Sequence, residues 1–305
     1  MSRKLIALLL VLLLAMSLGV QALAEVHKDE VVYAKLDAAG KVTQTVLVNA
    51  FESTEPSSVT DYGAYSDVQP LGAAEGFAYN DGMATFTMHE GRFSYQGIPD
   101  KQELPWTIAI SYTLDGQAVE PAALSGTSGE LEGRLQIKVN EDLLAFAKNQ
   151  TLQITITLDG DKTFDIKADK ATLAIAGGKR SIAFVILPGQ EADYTFTARV
   201  QEFSMEGIQF AGIRMGMDAQ MYQNAAAAAI AGSPLEGAIT GIMGGMLNSM
   251  QGQQPVSYTD ARNPVRSLQF VIFSEGIPEA AKEAAPAQNE EELSFWQRLL
   301  SLVGL

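Results

Sequence analysis

From residue 26 to residue 203 the chain reads as β throughout, and several of its runs alternate apolar and polar positions with a period of two. The clearest run sets Trp106, Ile108, Ile110 and Tyr112 against Thr107, Ala109, Ser111 and Thr113. Leu131, Gly133, Leu135, Ile137 and Val139 repeat the pattern, as do Leu152, Ile154, Ile156 and Leu158, and then Tyr194, Phe196, Ala198 and Val200. Successive side chains leave a pleated backbone on opposite sides, so this period predicts strands with one buried face. Ile182 to Leu187 is apolar at every position and predicts a central strand covered on both faces. Turn residues punctuate the strands. Asp37-Ala38-Ala39-Gly40 joins Val31–Leu36 to Val42–Val48 as a hairpin, and His89-Glu90-Gly91 joins Met83–Met88 to Arg92–Tyr95 as another. Asp115-Gly116 closes the Trp106 strand. Asp159-Gly160 closes the Leu152 strand before a return strand at Phe164 and Ile166. Thr60 to Ser66 is rich in Tyr and Gly and predicts a turn or an edge. The echo of Tyr112-Thr113-Leu114-Asp115-Gly116 in Ile156-Thr157-Leu158-Asp159-Gly160 has two readings, recurring hairpin chemistry and a duplicated module.

These elements predict a mainly β chain with two β-sandwich (Ig-like) modules, at 25–100 and 101–203, and a seam at Gly97–Leu104, marked by Pro99 and Pro105. Residues 204–254 change character to Met, Ala and Gly and predict a short helical insert. Asp218–Ala231 and Leu235–Met250 are its candidate helices, with Gly237, Gly241 and Gly245 spaced for close packing. One reading is a hairpin that packs on a partner or membrane, with Met243 and Met246 among its contacts. The other is a hairpin or flexible insertion lying on its own domain. Residues 255–277 return to the sheet through the strand Ser267–Phe273. An acidic, Ala/Pro/Glu-rich linker at 278–293 has no apolar period and predicts disorder. In 294–305, Ser294 and Gln297 form a capping box, and Phe295, Trp296, Leu299, Leu300 and Val303 follow helical spacing. This amphipathic helix is the candidate contact with an envelope protein or a membrane interface; the alternative is that it folds back on the domain. Arg298 is its one cation, which favours a protein groove over anionic lipid.

The N-terminus reads as an export address. Arg3 and Lys4 precede an uncharged apolar run from Leu5 to Val20, and Ala22-Leu23-Ala24 precedes Glu25 as a small-residue cleavage site. The run falls short of the roughly 20 residues that span a bilayer. Residues 1–24 are therefore read as a signal peptide cleaved after Ala24, the alternative being an uncleaved anchor. The protein is expected outside the cell or at the envelope.

Composition narrows the chemistry. The 305 residues include no cysteine and two histidines, and the formal charge is −15, which becomes −17 when Arg3 and Lys4 leave with the signal. Disulfides, thiol nucleophiles, zinc–thiolate sites, Fe–S clusters and lipidated cysteine are excluded. The acidic balance argues against nucleic acid. His27 is placed at a frayed mature terminus and His89 in a turn, and neither belongs to a serine triad. No Walker A, dinucleotide or His-Glu-x-x-His pattern occurs. Asp159-Gly160-Asp161 is read as turn chemistry, since a calcium loop needs more oxygen ligands. No catalytic, metal or cofactor set is assigned. Abundant carboxylates keep open a glycan hydrolase using an Asp/Glu pair.

Leu104-Pro105-Trp106, Tyr112–Gly116 and Leu124-Ser125-Gly126-Thr127-Ser128-Gly129-Glu130-Leu131 follow one another in an order that resembles the extracellular region of the phage-infection-protein (Pip/YhgE-type) family of Gram-positive bacteria. Thr60-Asp61-Tyr62-Gly63, Leu187-Pro188-Gly189 and Phe203-Ser204-Met205 also resemble that family. The resemblance covers 26–210 and 256–277. It implies an envelope protein, often considered with export or secretion machinery, and brings no catalytic residues. The family's long coil is replaced here by the insert at 204–254, and its membrane spans are missing. The resulting expectation is an exported, non-enzymatic envelope protein that acts as an adaptor or binding module, accessory to an export system, with a cell-wall glycan hydrolase as the alternative. The mature protein is expected to start at Glu25; N-terminal peptide mapping of exported material checks this, and an intact Arg3–Lys4 segment would mark an uncleaved anchor.

Overall fold

The computed structural model describes residues 26–214 and 255–280. These residues are mainly β. The strands are β1 His27–Leu36, β2 Val42–Ser53, β3 Ser57–Tyr62, β4 Tyr65–Pro70, β5 Glu75–Asn80, β6 Met83–Met88, β7 Gly91–Pro99, β8 Trp106–Leu114 and β9 Gln117–Val119. They continue with β10 Gly129–Val139, β11 Thr151–Asp159, β12 Thr163–Ala168, β13 Thr172–Ala176, β14 Lys179–Ile186, β15 Ala192–Val200, β16 Gln209–Ile213 and β17 Ser267–Ser274. One helical turn, α1 at Leu144–Ala147, lies between β10 and β11.

A nine-stranded sheet in the order β13-β14-β11-β16-β17-β1-β2-β7-β4 forms one layer. Two smaller sheets supply inner faces against it: β12-β15-β10-β8-β9 and β3-β6-β5. Ring contacts show which half each one covers. Phe184 on β14 stacks on Tyr194 of β15, and Trp106 of β8 meets Phe270 of β17 edge-on with centroids 5.5 Å apart. Phe86 of β6 packs on Phe51 of β2 and Phe93 of β7, at 5.1 and 4.6 Å. The strands at 106–114, 131–139, 151–159 and 192–200 bury the faces that their alternation predicts, with Trp106, Ile108, Ile110 and Tyr112 all inside.

The hairpin turn at residues 37–40 forms as expected. Gly40 takes φ +96°, and a Cβ there would lie 2.6 Å from the Ile108 carbonyl oxygen. The same turn accepts a hydrogen bond from Ile110 N on Ala39 O (2.9 Å), tying the large sheet to β8. Asp115 and Gly116 both have positive φ, as a two-residue hairpin between β8 and β9 requires.

Ser267–Phe273 returns to the sheet as expected, and its position organises the layer. β17 lies between β1, to which it runs parallel from Asp29↔Ser267 to Leu36↔Ser274, and β16, to which it runs antiparallel. Leu268, Phe270 and Ile272 face the core.

Several sequence expectations change. Strands from both sides of the expected seam at 97–104 share the nine-stranded sheet, and Gly97 and Pro99 belong to β7 itself. Met83–Met88 and Arg92–Tyr95 do not pair: β6 lies in the three-stranded sheet and β7 in the large one. The Phe164–Ile166 strand pairs with β15, not with the Leu152 strand, so the chain crosses between sheets after Asp159-Gly160. The two Leu-Asp-Gly echoes therefore serve different turns. β14 is not central. It adjoins the edge strand β13, which sequence reasoning missed, and Val185 is 54% exposed. Thr60–Ser66 holds the end of β3 and the start of β4. His27 is not frayed; it sits in β1 opposite Glu52. Within the expected helical insert, Gln209–Ile213 is the strand β16, pulled into the sheet by its inward Phe210. The start of the expected disordered linker is held: Ser125 Oγ donates to Pro278 O (2.8 Å), and Lys162 pairs with Glu279 (3.2 Å). The signal peptide, the candidate helices at 218–250, the rest of the linker and the tail helix lie outside the described residues.

Phe270 has no exposed surface and its ring contacts Trp106, Phe146 and Tyr258. Phe270→Ala is expected to cost about 3–5 kcal/mol, read from the denaturant midpoint.

Candidate functional site

β1 sends Lys28, Glu30, Val32, Ala34 and Leu36 to the same inward face. Lys28 and Glu30 are thus in phase with the core although they are charged. Their neighbours across the sheet form two rows. Glu30 faces Asn49 on β2, which faces Tyr95 on β7; Lys28 faces Phe51, which faces Phe93. Asp61 enters from the opposite layer, on the inward face of β3.

At the meeting point, Lys28 Nζ lies 2.6 Å from Asp61 Oδ1 and 2.8 Å from Glu30 Oε1. Lys28 is 4% exposed, Asp61 2% and Glu30 not at all. The Tyr95 hydroxyl donates to Asp61 Oδ2. Ser257 Oγ donates to Glu30 Oε1 (2.6 Å) and the Tyr258 backbone N–H to Glu30 Oε2 (2.7 Å). Asn49 Nδ2 donates to the Tyr65 hydroxyl (2.9 Å) beside them. The Phe51 ring closes one side, its centroid 5.7 Å from Nζ.

Burial pushes the Asp61 carboxyl above the usual carboxylate range, against the pull of Lys28. Burial also pushes up the Tyr95 phenol, helped by Tyr65 and by the Asp61 charge, so it stays a donor.

The segment that leads into β17 caps this cluster. Asn263 imitates a neighbouring strand for Tyr62: its Oδ1 accepts from Tyr62 N (2.9 Å) and its Nδ2 donates to Tyr62 O (2.6 Å). Thr259 Oγ1 donates to the same carbonyl (2.9 Å), and the Arg262 guanidinium sits 3.8 Å from the Tyr62 ring centroid. At the rim, Arg266 pairs with Asp29 and, at 3.0 Å, with Glu52. Burial pushes Asp29 up, but hydrogen bonds from Arg266 and Ser267 more than offset it and hold it below the usual range. The Arg266 hydrogen bond does the same for Glu52.

An open cleft of about 300 Å³ adjoins the cap, lined by Asp100, Lys101, Glu103, Leu143 and Tyr258 among others. Tyr258 belongs to both places, since its backbone serves Glu30 and its hydroxyl donates to Glu103 O. Lys28, Glu30, Asp61 and Tyr95 were not singled out by sequence reasoning. The available signal was phase: Lys28 and Glu30 continue the period of Val32, Ala34 and Leu36. The contact residues that were singled out, Phe295, Trp296, Leu299, Leu300, Val303, Met243 and Met246, lie outside the described residues. Among the described residues no group of three or more His, Asp or Glu is placed to hold a metal ion.

No family model matches the chain, and no curated protein matches it. The resemblance to phage-infection proteins therefore rests on the quoted sequence segments. Among solved structures the chain is similar to the Fcho1 mu-homology domain of Danio rerio with bound Eps15 peptide, at 9% identity over 84% of this chain and 96% of that one, with a TM-score of 0.40. It is also similar to the yeast delta-COP-I mu-homology domain, at 9% identity over 82% and 95%, with a TM-score of 0.36.

Asp29 and Glu52 are both held below their unfolded values of 3.8 and 4.5. Their contribution to stability is present above those values and is lost as pH falls through the lower native ones. Arg266→Met should therefore destabilise the protein at neutral pH, with the gap from wild type closing in acid; denaturant midpoints across that range check it.

Proposed function

We propose that this chain is an exported, non-enzymatic β-sandwich protein of the cell envelope that works as an adaptor or binding module. The observation that carries this reading is where the densest polar chemistry is spent. Lys28, Glu30, Asp61 and Tyr95 satisfy one another in a closed interior that joins two sheets and the C-terminal cap. Groups that act on a substrate need a site where a reacting atom can sit between them; groups that brace a scaffold do not. Export is supported by the tripartite segment at 1–24, and Lys28 follows the Ala22-Leu23-Ala24 signal by four residues. The brace thus starts at the head of the mature chain.

Contact with an envelope protein or membrane interface is assigned to Phe295, Trp296, Leu299, Leu300 and Val303, with Met243 and Met246 of the insert, and the resemblance supports a role accessory to export machinery. Deleting residues 293–305 is expected to release the protein from the membrane fraction and to abolish its in-cell crosslinks. Unchanged fractionation and crosslinks would remove the tail from this role.

The second reading, a cell-wall glycan hydrolase, is favoured by Asp100 and Glu103, two carboxylates lining the open cleft beside Tyr258. Under the adaptor reading, wild type and the Asp100→Asn/Glu103→Gln double variant release equally little soluble glycan from purified cell wall. Release by wild type that the double variant loses would establish the hydrolase.

A further inference from the structure

We propose that Lys28 and Asp61 become joined by an intramolecular amide bond, made by the folded chain itself, with Glu30 as the proton carrier. The amine and the carboxyl are already in contact at 2.6 Å, and Glu30 touches the same nitrogen at 2.8 Å. All three are sealed from solvent. As an ion cluster this arrangement is costly: one cation and two carboxylates share a low-dielectric interior, and each has given up its hydration shell. Condensation removes two of the three charges. Holding the reactants together also replaces a bimolecular encounter with a positioned one, worth effective molarities up to about 10⁵–10⁸ M in favourable geometry.

The hydrogen bonds distinguish the two acids. Glu30 receives donors on both oxygens, from Ser257 Oγ and Tyr258 N, which fix its carboxyl against the lysine nitrogen as the proton carrier. Asp61 receives the Tyr95 hydroxyl on Oδ2 alone and meets the lysine with Oδ1. Desolvation favours its neutral, electrophilic form. The other Lys–carboxylate pairs among the described residues, Lys35–Glu275, Lys162–Glu279 and Lys179–Glu206, all have solvent access, so none shares the sealed setting of Lys28 and Asp61.

The step balances without a co-reactant. A proton passes from the Lys28 ammonium to Asp61 Oδ1, leaving an amine and a carboxylic acid. The Nζ lone pair forms the N–Cγ bond, and the carbonyl π pair moves onto Oδ2, where the Tyr95 hydroxyl stabilises it. Glu30 takes one proton from the nitrogen. The Oδ2 pair then restores the carbonyl, the Cγ–Oδ1 bond breaks, and Oδ1 leaves as water with the proton that Glu30 returns. The products are an amide, one water and the Glu30 carboxylate. The bond joins β1 of the nine-stranded sheet to β3 of the three-stranded sheet.

Intact mass under denaturing conditions tests this on the full chain. Folded wild type is expected to be one water lighter than its sequence. Trypsin is expected to skip Lys28 and to yield the peptide ending at Lys35 branched onto the peptide 42–92, which carries Asp61. Glu30→Gln retains both reactants and should keep the full mass, with circular dichroism confirming that it folds. Wild type at full sequence mass after prolonged storage in the folded state, with cleavage at Lys28, overturns the proposal. Water loss confined to the peptide ending at Lys35, or persisting in Lys28→Met, overturns it as well, since the first places the bond on Glu30 and the second is a dehydration elsewhere, such as at an Asp-Gly step.

Discussion

Lys28 carries a charge into a place that water does not reach, and much of the architecture answers to that. The nine-stranded sheet supplies Glu30, Asn49 and Tyr95 in one row, the three-stranded sheet supplies Asp61, and the loop before β17 supplies the two donors that hold Glu30. Removing Lys28 would leave Glu30 and Asp61 as buried carboxylates without their shared cation, which costs more than the pairing gains. The cluster is thus a condition of assembly. Ser257 and Glu30 are 227 positions apart, so the first strand is not electrostatically complete until the far end of the described chain arrives. Contacts of this separation pay for loop closure before they are rewarded.

The aromatic packing around the cluster follows from the same constraint. Phe51, Phe77, Phe86, Phe93 and Tyr95 contact one another between the two sheets. They exclude water from one side of Lys28, while the cap formed by Ser257, Thr259 and Asn263 closes another. A looser shell would admit solvent, and the ion cluster would become an ordinary surface pair of little worth. Arg266, Asp29 and Glu52 at the rim show the contrast: their charges stay partly solvated and their pairing is felt through pH.

Much of the strand content was legible because period two survives in β8, β10, β11 and β15 without interruption. The hairpin at 37–40 was legible because Gly40 must take positive φ against the Ile108 carbonyl. Pairing was not. Phase says which face of a strand is buried but not which strand lies beside it, so β6 and β7, neighbours along the chain, separate into different sheets. β14 misled for a related reason: Val185 is apolar yet faces outward, so a continuous run stood in for burial on both faces. At β1 polarity overrode phase. Starting the strand at Val31 discarded Lys28 and Glu30, the two residues whose inward phase marks the cluster. Asp61 was hidden in a Tyr/Gly-rich stretch that reads as a turn, although it keeps phase with Val59 in β3.

The parallel pairing of β1 with β17 has a mechanical side. Asp29 lies beside Ser267 and Leu36 beside Ser274, so the start of β1 and the end of β17 sit at opposite ends of two adjacent strands. A pull applied between them would shear the pair lengthwise, loading its hydrogen bonds together rather than peeling them apart in turn. Resistance to such a pull is set by the unfolding rate and not by equilibrium stability, and Lys28, one residue inside the start of β1, is the first anchor the load would meet.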